Sequence, residues 1–230
     1  MITLPDTLND AVTWVRLKRR LWRQIRKLEQ NTPALNAPRN SLVLLGPSRS
    51  GKSSIAREME AQGVLCHCEV DIYIKYLNSF SNSLSRSYAA EYLLNALLSK
   101  FPHNIAIEGV ALSFSFIGHK AHQIKWTKFQ RWTDILERHR AKGFVVVANA
   151  TQREYLGTIR RGREAGKCWS LDTLQDAELP ELAASCLQQN AVMQQIAAEG
   201  GVDPIPISMA SRADHVRSIS QGVEQIKACI

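Results

Sequence analysis

The sequence has 230 residues, 45% hydrophobic and 22% charged, with a formal net charge of +8. That length holds one α/β domain with a full core and at most a small appendage, and the composition is that of an ordinary globular protein. No apolar run approaches the ~20 residues that span a bilayer. No charged, apolar, then small-residue leader opens the chain, so its five irregularly spaced cysteines are expected to be reduced thiols in a cytoplasm.

Residues 6–30 are predicted to form an amphipathic helix. Leu8, Ala11, Val12, Val15, Leu21, Trp22, Ile25 and Leu28 recur at spacings of three and four, and Arg16, Lys18, Arg19, Arg20, Arg23, Arg26 and Lys27 fill the remainder. Residues 1–40 hold eight Lys/Arg and three Asp/Glu, so +5 of the +8 belongs to this segment. Asn31-Thr32-Pro33 and Ala37-Pro38-Arg39-Asn40 break the helix and mark a linker. Residues 1–40 are therefore expected to be a basic helix and linker, removable without loss of the domain at 41–230; the helix has three readings, packing its stripe on that domain, self-association, or contact with polyanions such as nucleic acid or an anionic membrane.

From Ser41 the pattern changes. Short apolar runs at Leu42–Leu45, Val64–Val70, Ile105–Ile107, Phe144–Ala148 and Ile205–Ile207 alternate with helical stretches near 52–62, 86–100, 122–142, 152–165 and 173–199, and a last helix covers about 211–228. Strands alternating with helices predict βαβ units and a five-stranded parallel sheet in a three-layer α/β domain. Cys66-His67-Cys68 lies inside one of these runs. Strand neighbours point to opposite faces and no second ligand pair follows, so the cysteines are expected to be structural. The His119 and His122 pair is too sparse for a metal site.

Gly46-Pro47-Ser48-Arg49-Ser50-Gly51-Lys52-Ser53 fits G-x-x-x-x-G-K-[ST] at every fixed position, with a strand before it and a helix after it. Gly46 and Gly51 allow backbone angles that side chains block, so successive amides, Ser54 included, can converge on phosphate oxygens at a helix N-terminus. Lys52 supplies a cation for the β- and γ-phosphates of ATP, and the Ser53 hydroxyl is expected to ligate Mg²⁺.

Three further features favour phosphoryl transfer over simple hydrolysis. Asp71 ends the second apolar run, where open α/β sheets place their ligand crevice, and a carboxylate there can orient or deprotonate an acceptor hydroxyl. The bland reading is a helix cap. Glu108 ends the third run, followed by Gly109, and can hold Mg²⁺ through its waters or contact the attacking group. After the fourth run come Arg153, Arg160, Arg161, Arg163 and Lys167, predicted to be a lid around 152–170 that closes over ATP and neutralises developing charge, unless they are only a solvated basic face.

With these residues in hand, GPSRSGKS, Asp71-Ile72-Tyr73, Ile107-Glu108-Gly109 and Thr158–Arg163, residues 41–228 resemble the nucleoside- and nucleotide-kinase branch of the P-loop fold. The D-x-Y and E-G pair is similar to uridine-kinase-like and small-metabolite-kinase members. The resemblance implies a P-loop NTPase fold with sheet order 2-3-1-4-5, an acid after strand two that acts on the acceptor hydroxyl, and lid arginines that grip phosphates. The basic N-terminal helix and the long helix at 173–199 depart from those families.

The acceptor is expected between Asp71 and the helices at 72–103, with Tyr73, Tyr76, Arg86, Tyr88 and Tyr92 able to line it and Arg86 able to hold a phosphate or carboxylate. Tyr88 and Tyr92 also suit a helical core stripe. So do Trp126, Phe129 and Trp132, in a segment whose mixed bases and aromatics otherwise suit single-stranded nucleic acid. The leading expectation is an ATP-dependent kinase acting on a hydroxyl or phosphate of a nucleoside, nucleotide or small metabolite. One alternative is a polynucleotide-directed kinase that grips its acceptor through residues 16–27. Another is a P-loop ATPase that works as a switch in an assembly.

Overall fold

The computed structural model describes residues 8–31, 41–101, 104–117, 124, 126–164 and 174–230. Strands β1 (Leu42–Leu45), β2 (Cys66–Glu69), β3 (Ile105–Glu108), β4 (Lys142–Asn149) and β5 (Asp203–Ser208) form one parallel sheet. Its order, β2-β3-β1-β4-β5, is the one expected. The helices are α1 (Leu8–Asn31), α2 (Lys52–Ala61), α3 (Ile74–Asn78), α4 (Ser83–Lys100), α5 (Val110–Ile117), α6 (Trp126–His139), α7 (Gln152–Glu164), α8 (Leu179–Gly200) and α9 (Arg212–Cys229). Among the described residues no helix is long and apolar enough to cross a membrane.

The strands are short and wholly apolar at the centre because helices cover both faces. Along β1, Leu42 and Leu44 face one layer with Ile55, Ala56 and Met59 of α2 and Ile219, Val223 and Ile226 of α9. Val43 and Leu45 face the opposite layer, built from α1, α4, α5 and α6. Gly143 on β4 makes room for that layer: a Cβ there would stand 2.5 Å from both Leu136 Cδ1 and Trp132 Cη2. A third, smaller core joins α7 to α8 through Tyr155, Ile159, Leu179, Ala183 and Cys186. On the edge strand β5, Pro204 and Pro206 lie opposite Val145 and Val147 of β4.

Helix ends follow local chemistry. Asn82 caps α4 by accepting from the Ser85 amide at 2.8 Å, and Ser211 caps α9 by accepting from Asp214 at 3.1 Å. The helix predicted from residue 86 thus begins at Ser83. Helix α5 was not expected, because Val110–Ile117 is nearly all apolar and carries no helical period to read. His119, His122, Lys167 and Cys168 lie outside the described residues, as does the lid beyond residue 164.

Helix α1 packs on the domain, the first of its three readings, and so is not a removable appendage. Leu17, Leu21, Ile25 and Leu28 are buried in the same core as α4 and β3. Trp14 meets Phe80 and Tyr92 edge-on at 5.3 and 5.5 Å. Buried Asp10 accepts from the Ser81 amide at 2.9 Å and its hydroxyl at 2.8 Å. Of the expected stripe Leu21, Ile25 and Leu28 are buried, joined by Leu17, whereas Leu8, Val12, Val15 and Trp22 are exposed; a stripe alone does not say which surface covers it. The opposite face exposes Arg16, Lys18, Arg19, Arg20, Arg23, Arg26 and Lys27.

Candidate active site

Residues 46–53 form the turn from β1 into α2, at the carboxyl end of the sheet's central strand. Gly51 adopts φ 101°, a left-handed conformation that favours glycine. A Cβ on Gly46 would stand 2.6 Å from the Val146 carbonyl, so the loop passes too close to β4 for a side chain. Ser113 of α5 braces the turn, accepting from the Gly46 amide and donating to its carbonyl, both at 3.0 Å. On the other side the Tyr155 hydroxyl donates to the Ser48 carbonyl. Pro47 is buried beside them.

No side chain caps α2, so its N-terminal partial charge is left for an anion. Ser54 contributes little to such a cradle: its side chain is exposed and its amide already donates to the Gly51 carbonyl at 3.0 Å. Buried Ser50 Oγ has no hydrogen-bond partner among the described residues. Lys52 is 4% exposed, and its ammonium donates to the Gly46 and Pro47 carbonyls at 3.0 and 2.7 Å. Burial pushes its pKa down, while Glu108 and Asp71 oppose that shift. A buried ammonium held only by carbonyls at hydrogen-bonding distance suits an anionic ligand.

The carboxylates come from the ends of β2 and β3. Glu108 is 1% exposed and accepts from Ser53 Oγ at 2.9 Å and His67 Nε2 at 3.0 Å. Burial alone would raise its pKa. The His67 hydrogen bond, the Lys52 charge and Ser53 outweigh burial and hold it below the ordinary glutamate value. Glu69 sits opposite Glu108 in the β2–β3 register. Burial, then Glu108 and Asp71, push Glu69 upward.

Asp71 opens the single turn that leads into α3, and its Oδ1 accepts from the Ala111 amide at 2.9 Å. Asp71 therefore caps α5, an element after β3, rather than the helix next to it in sequence. Burial raises its pKa, partly offset by the Ala111 hydrogen bond and the Lys52 charge.

Several expected residues do not join this cluster. Tyr73 is fully buried in the main core, so it does not line the acceptor crevice; a ring two residues past Asp71 turns inward with the single helical turn. Arg86 lies in the first turn of α4, half-buried, its Nε buried without a hydrogen-bond partner among the described residues, and its position alone does not assign it to an acceptor anion. Tyr92 packs on Trp14, and Tyr88 lies under the Arg131 guanidinium at 5.9 Å. Phe129 and Trp132 are core residues, whereas Trp126, expected in the same stripe, is exposed and meets Phe129 edge-on at 5.7 Å.

The arginines of α7 also sit elsewhere. Arg160 and Arg161 are exposed, Arg161 donates to Thr158 Oγ1 at 3.0 Å, and Arg163 pairs with Asp176 at 2.6 Å. Tyr155 and Ile159 occupy the inward face of the helix, which leaves positions 160 and 161 outward. Arg49 is the arginine that bridges loop and helix: its guanidinium lies against Gly162.

His67, Glu69, Ser113 and Tyr155 were not predicted as site residues. For His67 and Glu69 the signal existed. The alternation that turns Cys66 and Cys68 into the core turns His67 and Glu69 the other way, toward α2. Ser113 and Tyr155 lie on helices whose docking onto the loop has no local signature.

No protein-family model matches the sequence, and no curated protein matches it. Among solved structures the chain is similar to a shikimate kinase from Bacteroides thetaiotaomicron, at 14% identity and TM-score 0.50, covering 83% of this chain and 99% of that one. It is also similar to a gluconokinase from Sinorhizobium meliloti 1021 (14% identity, TM-score 0.45, 82% and 94% covered). A chain of the PezAT toxin–antitoxin system of Streptococcus pneumoniae aligns at 13% identity and TM-score 0.49, covering 98% of this chain and 100% of that one. The likeness to the shikimate kinase shows the fold: this chain has the architecture of the P-loop kinases.

Proposed function

We propose that this protein is an ATP-dependent phosphotransferase that moves the γ-phosphoryl group to a hydroxyl or phosphate of a nucleoside, nucleotide or small metabolite. What carries the reading is one convergence. A buried Lys52 in a P-loop, an ionised Glu108 bonded to Ser53, and a carboxylate of raised pKa at Asp71 all stand at the carboxyl ends of β1, β3 and β2. A hydrolase needs the first two; an acid on the neighbouring strand gives an acceptor hydroxyl its base.

Lys52 and the first-turn amides of α2 would bind the phosphates. Asp71 would orient the acceptor and take its proton, and a pKa raised by burial suits a base working near neutrality. Ser53 and Glu108 would hold Mg²⁺. Among the described residues no group of three His, Cys, Asp or Glu side chains could hold a metal by itself, which suits an ion that takes its other ligands from phosphate oxygens and water. When bound, that ion neutralises charge on the phosphate oxygens.

The test is incubation with γ-labelled ATP against nucleosides, nucleotides, small metabolites and oligonucleotides. Label on a small acceptor supports the reading. Label released only as inorganic phosphate, and only with a partner protein present, supports an ATPase switch instead. One observation favours a second reading, a polyanionic acceptor: α1 packs on α3 and α4, the helices that follow Asp71, and exposes seven basic side chains. In that case oligonucleotides take the label, with affinity falling steeply as salt rises.

A further inference from the structure

Resting on the phosphotransferase reading above, we propose that Arg49, a side chain of the phosphate loop itself, neutralises the terminal phosphate of ATP, the task that sequence reasoning gives to Arg160, Arg161 and Arg163. Its backbone is the first sign. At φ 64° Arg49 holds a left-handed conformation that a side chain disfavours, and such conformations persist where the surroundings over-determine them, often at ligand clamps.

The guanidinium is the second sign. It crosses from the loop to α7 and rests on Gly162, where a Cβ would stand 3.0 Å from Nη1 and 3.3 Å from Cζ. Any side chain there would push the guanidinium off this seat, a methyl by a few tenths of an ångström and a larger group further. Its Nη2 is buried and has no hydrogen-bond partner among the described residues. Among them, too, no carboxylate lies within 4.0 Å of Arg49 or of Lys52.

A guanidinium donor withdrawn from water without an acceptor is costly, so this one suits an anionic acceptor. Arg49 and Lys52 stand three residues apart in one loop, Lys52 buried and Arg49 with a buried Nη2. Burial raises the Cys186 thiol to about 11, and the Lys52 charge, then that of Arg49, act against the shift. Two cations four and seven residues into one loop offer a triphosphate more positive charge than a diphosphate needs. An arginine adds paired planar donors that an ammonium lacks. The α7 arginines are occupied differently: Arg163 is tied to Asp176, and Arg160 and Arg161 face outward.

The test compares ATP and ADP binding by titration calorimetry, with Mg²⁺, for the wild type, Arg49→Gly and Gly162→Leu. Arg49→Gly is expected to weaken ATP at least tenfold, leave ADP within about twofold, and lower turnover by about 10³. Glycine accepts φ 64°, so its melting temperature should equal or exceed that of the wild type. Gly162→Leu keeps Arg49 but fills its seat, and should reproduce the ATP-selective loss. Equal weakening of ATP and ADP, no change in either, or a drop in melting temperature that tracks the lost turnover would overturn the assignment. A folded wild type that binds neither nucleotide would instead defeat the phosphotransferase reading; wild-type transfer that survives Arg49→Gly overturns only the role of Arg49.

Discussion

A Cβ atom on Gly109 would stand 2.7 Å from Asp71 Oδ1 and 2.7 Å from Val70 Cγ2. The glycine after Glu108 makes room for the carboxylate that follows β2, so the two acid signals at neighbouring strand ends are parts of one construction. Gly109→Ala must push Asp71 aside or break its bond to the Ala111 amide. Turnover is expected to fall about a hundredfold, because small displacements of a reacting group are costly. Stability should drop by about 1–3 kcal/mol. ATP affinity should stay within about twofold, and calorimetry with steady-state kinetics separates the two effects.

Asp71→Asn keeps an oxygen for the Ala111 amide but cannot take a proton. Phosphoryl transfer should slow by about 10²–10⁴ with little change in ATP binding. The raised pKa of Asp71 also fixes the sign of a pH effect. In the wild type, kcat should fall with acidification at a pH above the ordinary aspartate range, and the asparagine variant should lack that limb. Because folding raises this pKa, the stability linked to Asp71 is present below its unfolded value and lost as pH rises through its folded value. At neutral pH the variant should therefore melt no lower than the wild type. An unchanged rate would leave Asp71 as the α5 cap alone.

Lys52→Ala removes a desolvated ammonium that only two carbonyls hold. Turnover should vanish while far-ultraviolet dichroism and melting stay near the wild type. A folded Lys52→Ala protein with wild-type turnover would take the P-loop out of the mechanism.

His67→Ala removes a donor from a buried carboxylate, a loss of about 1–3 kcal/mol. Glu108 would keep Ser53 as its hydroxyl partner but lose orientation. The Mg²⁺ concentration for half-maximal turnover should rise several-fold, while the ATP concentration dependence at saturating Mg²⁺ barely moves. Equal shifts in both would reduce His67 to a packing residue.

Removing residues 1–38 strips Leu17, Leu21, Ile25 and Leu28 from the main core. The truncated chain should be insoluble or melt far lower, and Leu21→Ala alone should cost about 2–5 kcal/mol. Substituting Arg19, Arg23 and Arg26 by Gln, on the exposed side, should leave the melting temperature nearly unchanged.

The sequence carries most of the fold because its signals are local. The P-loop is a fixed pattern, the strands are apolar runs, and alternation with helices dictates a parallel sheet whose order the kinase resemblance supplied. The acids at Asp71 and Glu108 were legible because strand ends in such sheets border the crevice. What escaped depends on where helices dock. Tyr73 turned out buried because a single helical turn at 71–73 rotates it inward. Arg160, Arg161 and Arg163 looked like a lid because spacing gives a helix face but not the surface that face meets. Arg49 was just a loop position until its backbone angle and its seat on Gly162 could be seen together.

Pro204 and Pro206 occupy alternate residues of the outermost strand, so both missing N–H groups belong to one side of it. The side toward β4 requires donors for the ladder, and the donor-free side therefore looks outward. The Pro204 carbonyl is already taken by Gln225 Nε2 at 3.0 Å. An incoming extended peptide finds neither hydrogen to share nor that acceptor, and sheet growth stops at this margin without a covering element. Crowded nascent chains are thereby kept from zipping together along the side of the domain opposite β2.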